Sequence, residues 1–97
     1  MRAAYDLPVD YTCLHWTEKK AVREQYVREQ EGKCFYCESN LDEPPPQKIT
    51  ALRIDWSFFP ENFLKHPVHL QHDHGTGLTE GAVHSYCNAV MWQYEGK

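Results

Sequence analysis

The chain carries one ligand spacing twice, as Cys34-x-x-Cys37 and as His84-x-x-Cys87. Two donors three residues apart on a tight turn are how a backbone presents a pair of soft ligands to one tetrahedral ion, and two such pairs make a Cys3His set. Zinc suits thiolate and imidazole ligands and has no redox chemistry, so a structural role is expected, pinning the segment after the first helix to the start of the last one. The constraint matters because the chain is short. Its 97 residues, 41% of them hydrophobic, make one small domain near the lower end of sizes that fold unaided. Metal binding adds folding free energy that such a core lacks. Two other uses of the thiols are weaker. Cys13 in place of His84 has no partner at knuckle spacing, and a redox pair at Cys34-Phe-Tyr-Cys37 would follow a helix, whereas a thioredoxin-like motif joins a strand to a helix.

No run approaches the ~20 apolar residues of a membrane span, and the opening Met-Arg-Ala-Ala-Tyr-Asp lacks the apolar stretch of a secretory signal. The expectation is an unprocessed cytoplasmic protein with no membrane partner, in which a metal or redox role for the cysteines is favoured over disulfides. Ten Lys and Arg against 14 Asp and Glu give a formal charge of −4. That balance argues against gripping nucleic acid by charge alone.

Residues 1–16, turn-rich and aromatic, read as an arm laid over the domain. Thr17 is the expected N-cap of a helix running from Glu18 to about Glu31, with Ala21, Val22, Tyr26, Val27 and Gln30 as its stripe and Gly32 as its stop. Lys19, Lys20, Arg23, Arg28 and Lys33 lie on or beside it and are nearly cancelled by glutamates, which favours a solvated face laced with i,i+4 pairs over phosphate contact. Residues 42–67 read as an insertion that begins with the stiff Pro44-Pro45-Pro46 and contains an extended piece from Ile49 to Phe59. Val68–His72 is then a strand, Asp73–Gly77 its turn, Leu78–His84 the returning strand, and Ser85–Tyr94 a helix closing at Gly96, with Trp92 read as a core residue. The fold class is a small zinc-stabilised α+β domain spanning 1–97, with residues 1–33 forming an arm and helix and 34–97 a zinc-pinned hairpin and helix.

Between the knuckles lies His69-Leu-Gln-His-Asp-His74, then Gly75-Thr-Gly77, with Asn88 directly after the last knuckle. The order C-x-x-C, a strand ending in a His/Asp cluster, a Thr-Gly turn, and a second knuckle followed at once by Asn resembles the phage recombination endonuclease VII branch of the HNH (ββα-metal, His-Me finger) nucleases. Residues 34–95 carry this resemblance. It implies a hairpin and helix around one catalytic Mg2+ or Mn2+, separate from a structural zinc held by Cys34, Cys37, His84 and Cys87, with His84 in place of a commoner cysteine. His72 falls at the general base, Asn88 at a ligand of the catalytic ion, and His74 at a histidine contacting the scissile phosphate. Where the family has Asp or His before the base, this chain has Gln71, whose carbonyl binds a hard cation without charge and so more weakly. Asp73 sits at the next inward position of a regular strand and replaces it only through a local distortion. The resemblance further implies DNA as the partner, phage packaging or recombination proteins alongside, and action in a host cytoplasm; a monomer that nicks one strand is the default expectation.

The chemistry is sound on general grounds. A neutral imidazole with a pKa near ~6.5 is a competent base, and one hard cation polarises the phosphate and stabilises the leaving 3′ oxygen. On a strand, His72 and His74 share a face, with Leu70 anchoring it below. Blander roles compete: His66 and His69 as exposed or structural side chains, His74 as a turn cap, Asn88 as a helix cap. Two function classes follow. One is a metal-dependent DNA endonuclease or nickase; the other is a catalytically weak or inactive zinc-stabilised module that binds DNA or protein.

Overall fold

The hairpin is the element from which the rest is hung. In the computed structural model, which describes residues 5–95, strand β1 (Val68–His72) pairs antiparallel with β2 (Thr79–His84) in a two-stranded sheet. β1 has the bounds its alternation predicts. β2 begins one residue later than expected, because Leu78 bridges instead to Asp10 of the N-terminal arm. Val68 faces His84 and Gln71 faces Gly81, but His72 faces Thr79, so Glu80 is an extra residue and the ladder is bulged beside His72. The Asp73 carboxylate closes the turn by accepting from the amides of Gly75 (2.7 Å) and Thr76 (3.1 Å).

β2 runs without a loop into helix α3 (Ser85–Glu95). Ala82 and Val83 on the strand and Cys87, Ala89, Val90 and Met91 on the helix are buried together as the centre of the core. A residue pattern with no Gly or Pro from Ser85 to Glu95 lets the helix form at once. Trp92 departs from expectation. It is 41% exposed rather than in the core.

Helix α1 spans Trp16–Glu29, starting and ending two residues before the expected bounds. His15, rather than Thr17, is the N-cap: its Nδ1 accepts from the Thr17 amide, and the Glu18 carboxylate accepts from the His15 amide at 3.1 Å. At the other end the chain turns left-handed at Glu31 and Gly32 (φ 57° and 75°). The Gly32 amide donates to Val27 O and the Glu31 amide to Arg28 O, the paired bonds of a Schellman close. Val22 is fully buried, with Tyr26 and Val27 packed against the core. Gln30 ends the stripe as a backbone mimic, its amide oxygen accepting from the Ala82 amide and its nitrogen donating to Ala82 O, both at 2.9 Å.

The arm does lie over the domain. Val9 and Thr79 exchange a backbone bond of 2.9 Å, and the Thr79 hydroxyl both accepts from the Val9 amide and bonds the Tyr26 hydroxyl. Met1–Ala4 of the arm, and Gly96 as the stop of α3, lie outside the described residues.

The insertion corrects the sequence reading. Ile49–Phe59 is not extended: a single helical turn, α2 (Gln47–Thr50), is followed by a 3-10 turn at Trp56–Phe58. Its backbone groups find partners on α3 rather than on a strand. Tyr86 Oη donates to Thr50 O and Leu52 O, Gln93 Nε2 donates to Arg53 O, and the Asp55 amide donates to Gln93 Oε1. Ile49 and Ile54 are buried beneath it.

Candidate metal centre and adjoining cleft

The first knuckle forms because the chain reverses tightly after α1. The Cys34 amide donates to Ser39 O, the Glu38 amide to Cys34 O, and the Phe35 amide to Ala82 O, which sets Cys34 and Cys37 against the end of β2. The second knuckle is the junction of β2 with the first turn of α3. One ligand atom from each of Cys34, Cys37, His84 and Cys87 lies within 4.8 Å of all the others. Cys34, His84 and Cys87 are buried and Cys37 is half-buried.

The donors are prepared for a cation. His84 Nε2 lies 2.9 Å from Asn40 O and 2.8 Å from Glu43 O; carbonyls only accept, so Nε2 carries the proton and Nδ1 presents its lone pair. That Nδ1 is 3.4 Å from Cys37 Sγ and 3.6 Å from Cys87 Sγ. A tetrahedral zinc with ordinary Zn–S and Zn–N bonds needs a separation of about 3.6 Å. Cys34 Sγ receives the amides of Tyr36, Cys37 and His84 at 3.4–3.5 Å. Its pKa is pulled down to about 4, chiefly by a hydrogen bond from Cys87 and, against burial, by those amides. Cys87 is pushed up by donating that bond, by burial and by the negative charge of Cys34 and Cys37. Crowded sulfurs of this kind resist a second and third ionisation until a dication joins them. The set fits zinc. Cys13 is exposed and lies outside the group.

A cleft of about 520 Å3, which none of the four ligand residues lines, opens along β1. β1 contributes His69, Gln71 and His72, the turn His74, α3 Asn88 and Trp92, α1 Lys19 and Arg23, the arm Tyr11, and the insertion Phe58, Phe59 and Phe63. No Asp or Glu lines it among the described residues. His72, His74, Asn88 and Gln71 thus line one cleft.

Their surroundings differ from the expectation in detail. His72 stacks on Tyr11 with ring centres 3.9 Å apart and planes 5° from parallel, and Lys19 Nζ sits 4.2 Å from the centre of the Tyr11 ring. Its pKa is lowered by burial first, then by the positive charge of His74 and Lys19, with Glu80 and Asp73 opposing. The strand stops at His72, so His74 belongs to the turn rather than to the strand face, yet its ring centre lies 4.7 Å from that of His72. The cap of the turn is Asp73, not His74, and Asp73 does not line the cleft. Gln71 is buried at 3% exposure; its Nε2 donates to His72 O (3.0 Å) and Glu80 Oε1 (3.3 Å), which leaves Oε1 as its group for the cleft. Asn88 is not a helix cap. It sits on the fourth position of α3 and donates from Nδ2 to His69 Nδ1 at 3.0 Å, keeping Oδ1 for other use.

Four residues take part that the sequence reading had not placed in the site. His69 holds Asn88, and its pKa is lowered mainly by burial; the available signal was its place two residues before Gln71 on one strand face. Lys19 and Arg23 are half-buried in the cleft rather than on a solvated face. Their i,i+4 spacing was visible, but nothing in it says what the helix packs against. Tyr11 had no signal at all. Comparison with protein-family models, with characterised proteins and with solved structures returns no match.

Proposed function

We propose that the protein is a metal-dependent endonuclease that hydrolyses or nicks DNA, on a domain held by a structural zinc at Cys34, Cys37, His84 and Cys87. The observation that carries this reading is the convergence of His72, His74 and Asn88, from strand, turn and helix, on a single cleft that has two cations and no carboxylate among the described residues. The resemblance of residues 34–95 to the HNH nucleases supports it, as does the order of hairpin and helix.

In this reading His72 takes the proton from the attacking water; burial and nearby positive charge keep its imidazole neutral, and Tyr11 fixes its plane. His74 and the cations on α1 hold the phosphate. Asn88 Oδ1, oriented by His69, and Gln71 Oε1 are the protein oxygens for a divalent ion, which when bound polarises the phosphate and stabilises the leaving 3′ oxygen. Both are uncharged, so the site fits Mg2+ or Mn2+ weakly and depends on substrate phosphate oxygens to complete the coordination. Hydrolysis would leave 5′ phosphate and 3′ hydroxyl ends.

Supercoiled plasmid is expected to become nicked or linear with Mg2+ or Mn2+, and His72→Ala to abolish this. Equal behaviour of wild type and His72→Ala would sink the assignment. Gln71→Asp supplies the missing charge and is expected to lower the concentration of Mn2+ needed. The uncharged donor set favours one second reading, a zinc-stabilised binding module without catalysis; DNA binding with no cleavage under any divalent ion, and no gain from Gln71→Asp, would select it.

A further inference from the structure

The cleft carries more than a phosphate site. Two of the largest rings at its edge stay in water: Phe58 is 63% exposed and Trp92 41%, with ring centres 6.1 Å apart. In a small chain whose buried hydrophobic core holds aliphatic, Cys and Met side chains but, among the described residues, no Phe, Tyr or Trp ring, leaving such area unburied forgoes stabilisation that inward-turned rings would give. Trp92 also meets Phe59 edge-on with ring centres 5.3 Å apart, and Phe58 in turn packs against Trp92. Lys19 and Arg23 bring positive charge to the same cleft from α1, in a chain whose net charge is −4. Cations and exposed rings together form the surface that binds a polynucleotide by its backbone and by the faces of its bases.

We propose that the substrate of this cleft is an unpaired DNA strand, its phosphates on Lys19 and Arg23 and one or two bases stacked on Phe58 and Trp92. The proposal rests on the reading of the cleft as a DNA site given above. Duplex DNA keeps its base faces inside the helical stack, so it can offer these rings nothing, and an acidic chain with two cations at the site neutralises too few phosphates to hold it by charge. A single strand supplies both contacts at once.

The test uses zinc-loaded full-length protein without added Mg2+ or Mn2+, at pH 8, with a fluorescent oligodeoxynucleotide as a single strand and as the same-length duplex. Anisotropy should show the single strand bound at least tenfold tighter than the duplex. Trp92→Leu or Phe58→Leu should each weaken single-strand binding roughly tenfold, with circular dichroism unchanged, whereas Trp16→Leu, on a ring 70% exposed and outside the cleft, should not. Plots of log affinity against log salt should have a slope of about −1.4 for two phosphates and about −0.7 in Arg23→Gln. Duplex bound as tightly as single strand, or Trp92→Leu and Phe58→Leu binding like wild type, overturns the proposal. A single-strand preference in a protein that, given Mg2+ or Mn2+, cuts neither the plasmid nor the single-stranded oligodeoxynucleotide supports this proposal while removing the nuclease reading, and cleavage without the preference does the reverse.

Discussion

At the scale of single residues, the chemistry depends on which nitrogen of each histidine is spoken for. His84 gives its Nε2 proton to two backbone carbonyls and so offers Nδ1 to the thiols. His69 accepts at Nδ1 from Asn88, and burial lowers its pKa from 6.5, so the folded chain holds it neutral. The consequence for stability has a definite sign. Below 6.5 the unfolded chain takes up this proton before the folded one does, so the contribution of His69 is complete above that pH and is lost as the pH falls below it. Urea midpoints measured at pH 7.5 and pH 5.5 are expected to differ less in His69→Gln than in wild type. Acid loss of the metal affects both proteins alike, so the difference between them reads His69; identical gaps would refute it.

At the scale of elements, the hairpin and its two flanking helices were legible and the insertion was not. The alternation of Val68-His-Leu-Gln-His72 and the turn chemistry of Asp73 to Gly77 are local, and β1 and α3 appear close to where those signals put them. The stretch from Gln47 to Phe59 has β-branched and aromatic residues in a pattern suited to a strand, but among the described residues no strand pairs with it. Side chains of Tyr86 and Gln93, far along the sequence, satisfy its backbone instead. The cap of α1 failed for a related reason: an imidazole with a free Nδ1 accepts an amide proton as a hydroxyl does. A second long-range feature sits at Gly81. A Cβ there would lie 2.8 Å from Gln30 Oε1 and 2.9 Å from Phe35 Cβ, and both residues are tied to Ala82 by hydrogen bonds. Gly81→Ala is expected to cost about 1–3 kcal/mol, seen as a lower urea midpoint with an unchanged slope; an unaltered midpoint would show that α1 and the first knuckle shift freely.

At the scale of the whole molecule, two features stand out: the candidate metal centre and the charge distribution. The four ligands join the segment after α1 to the junction of β2 and α3, and the buried cluster around Cys34, Val83 and Cys87 surrounds that junction. Removing zinc with a strong chelator is expected to lower the melting temperature by more than about 10 °C, followed by circular dichroism and reversed by added Zn2+. An unchanged melt would deny the metal a structural role. The acidic balance of the sequence, which argued against nucleic acid, is an average over a surface on which the cleft at His72 is lined by lysine, arginine and histidine beside its aromatic rings. The sequence by itself determined the ligand spacings, the hairpin and the helix after it, because each is encoded by neighbours within a few residues and by the chemistry of those side chains. Only the tertiary structure decided that Lys19, Arg23 and Tyr11 share a cleft with His72, that His69 orients Asn88, and that Phe58 and Trp92 remain at the rim in water. Those relations depend on how α1, the arm and the insertion pack around one strand, and packing between distant segments is set by the sum of many weak contacts that no local pattern records.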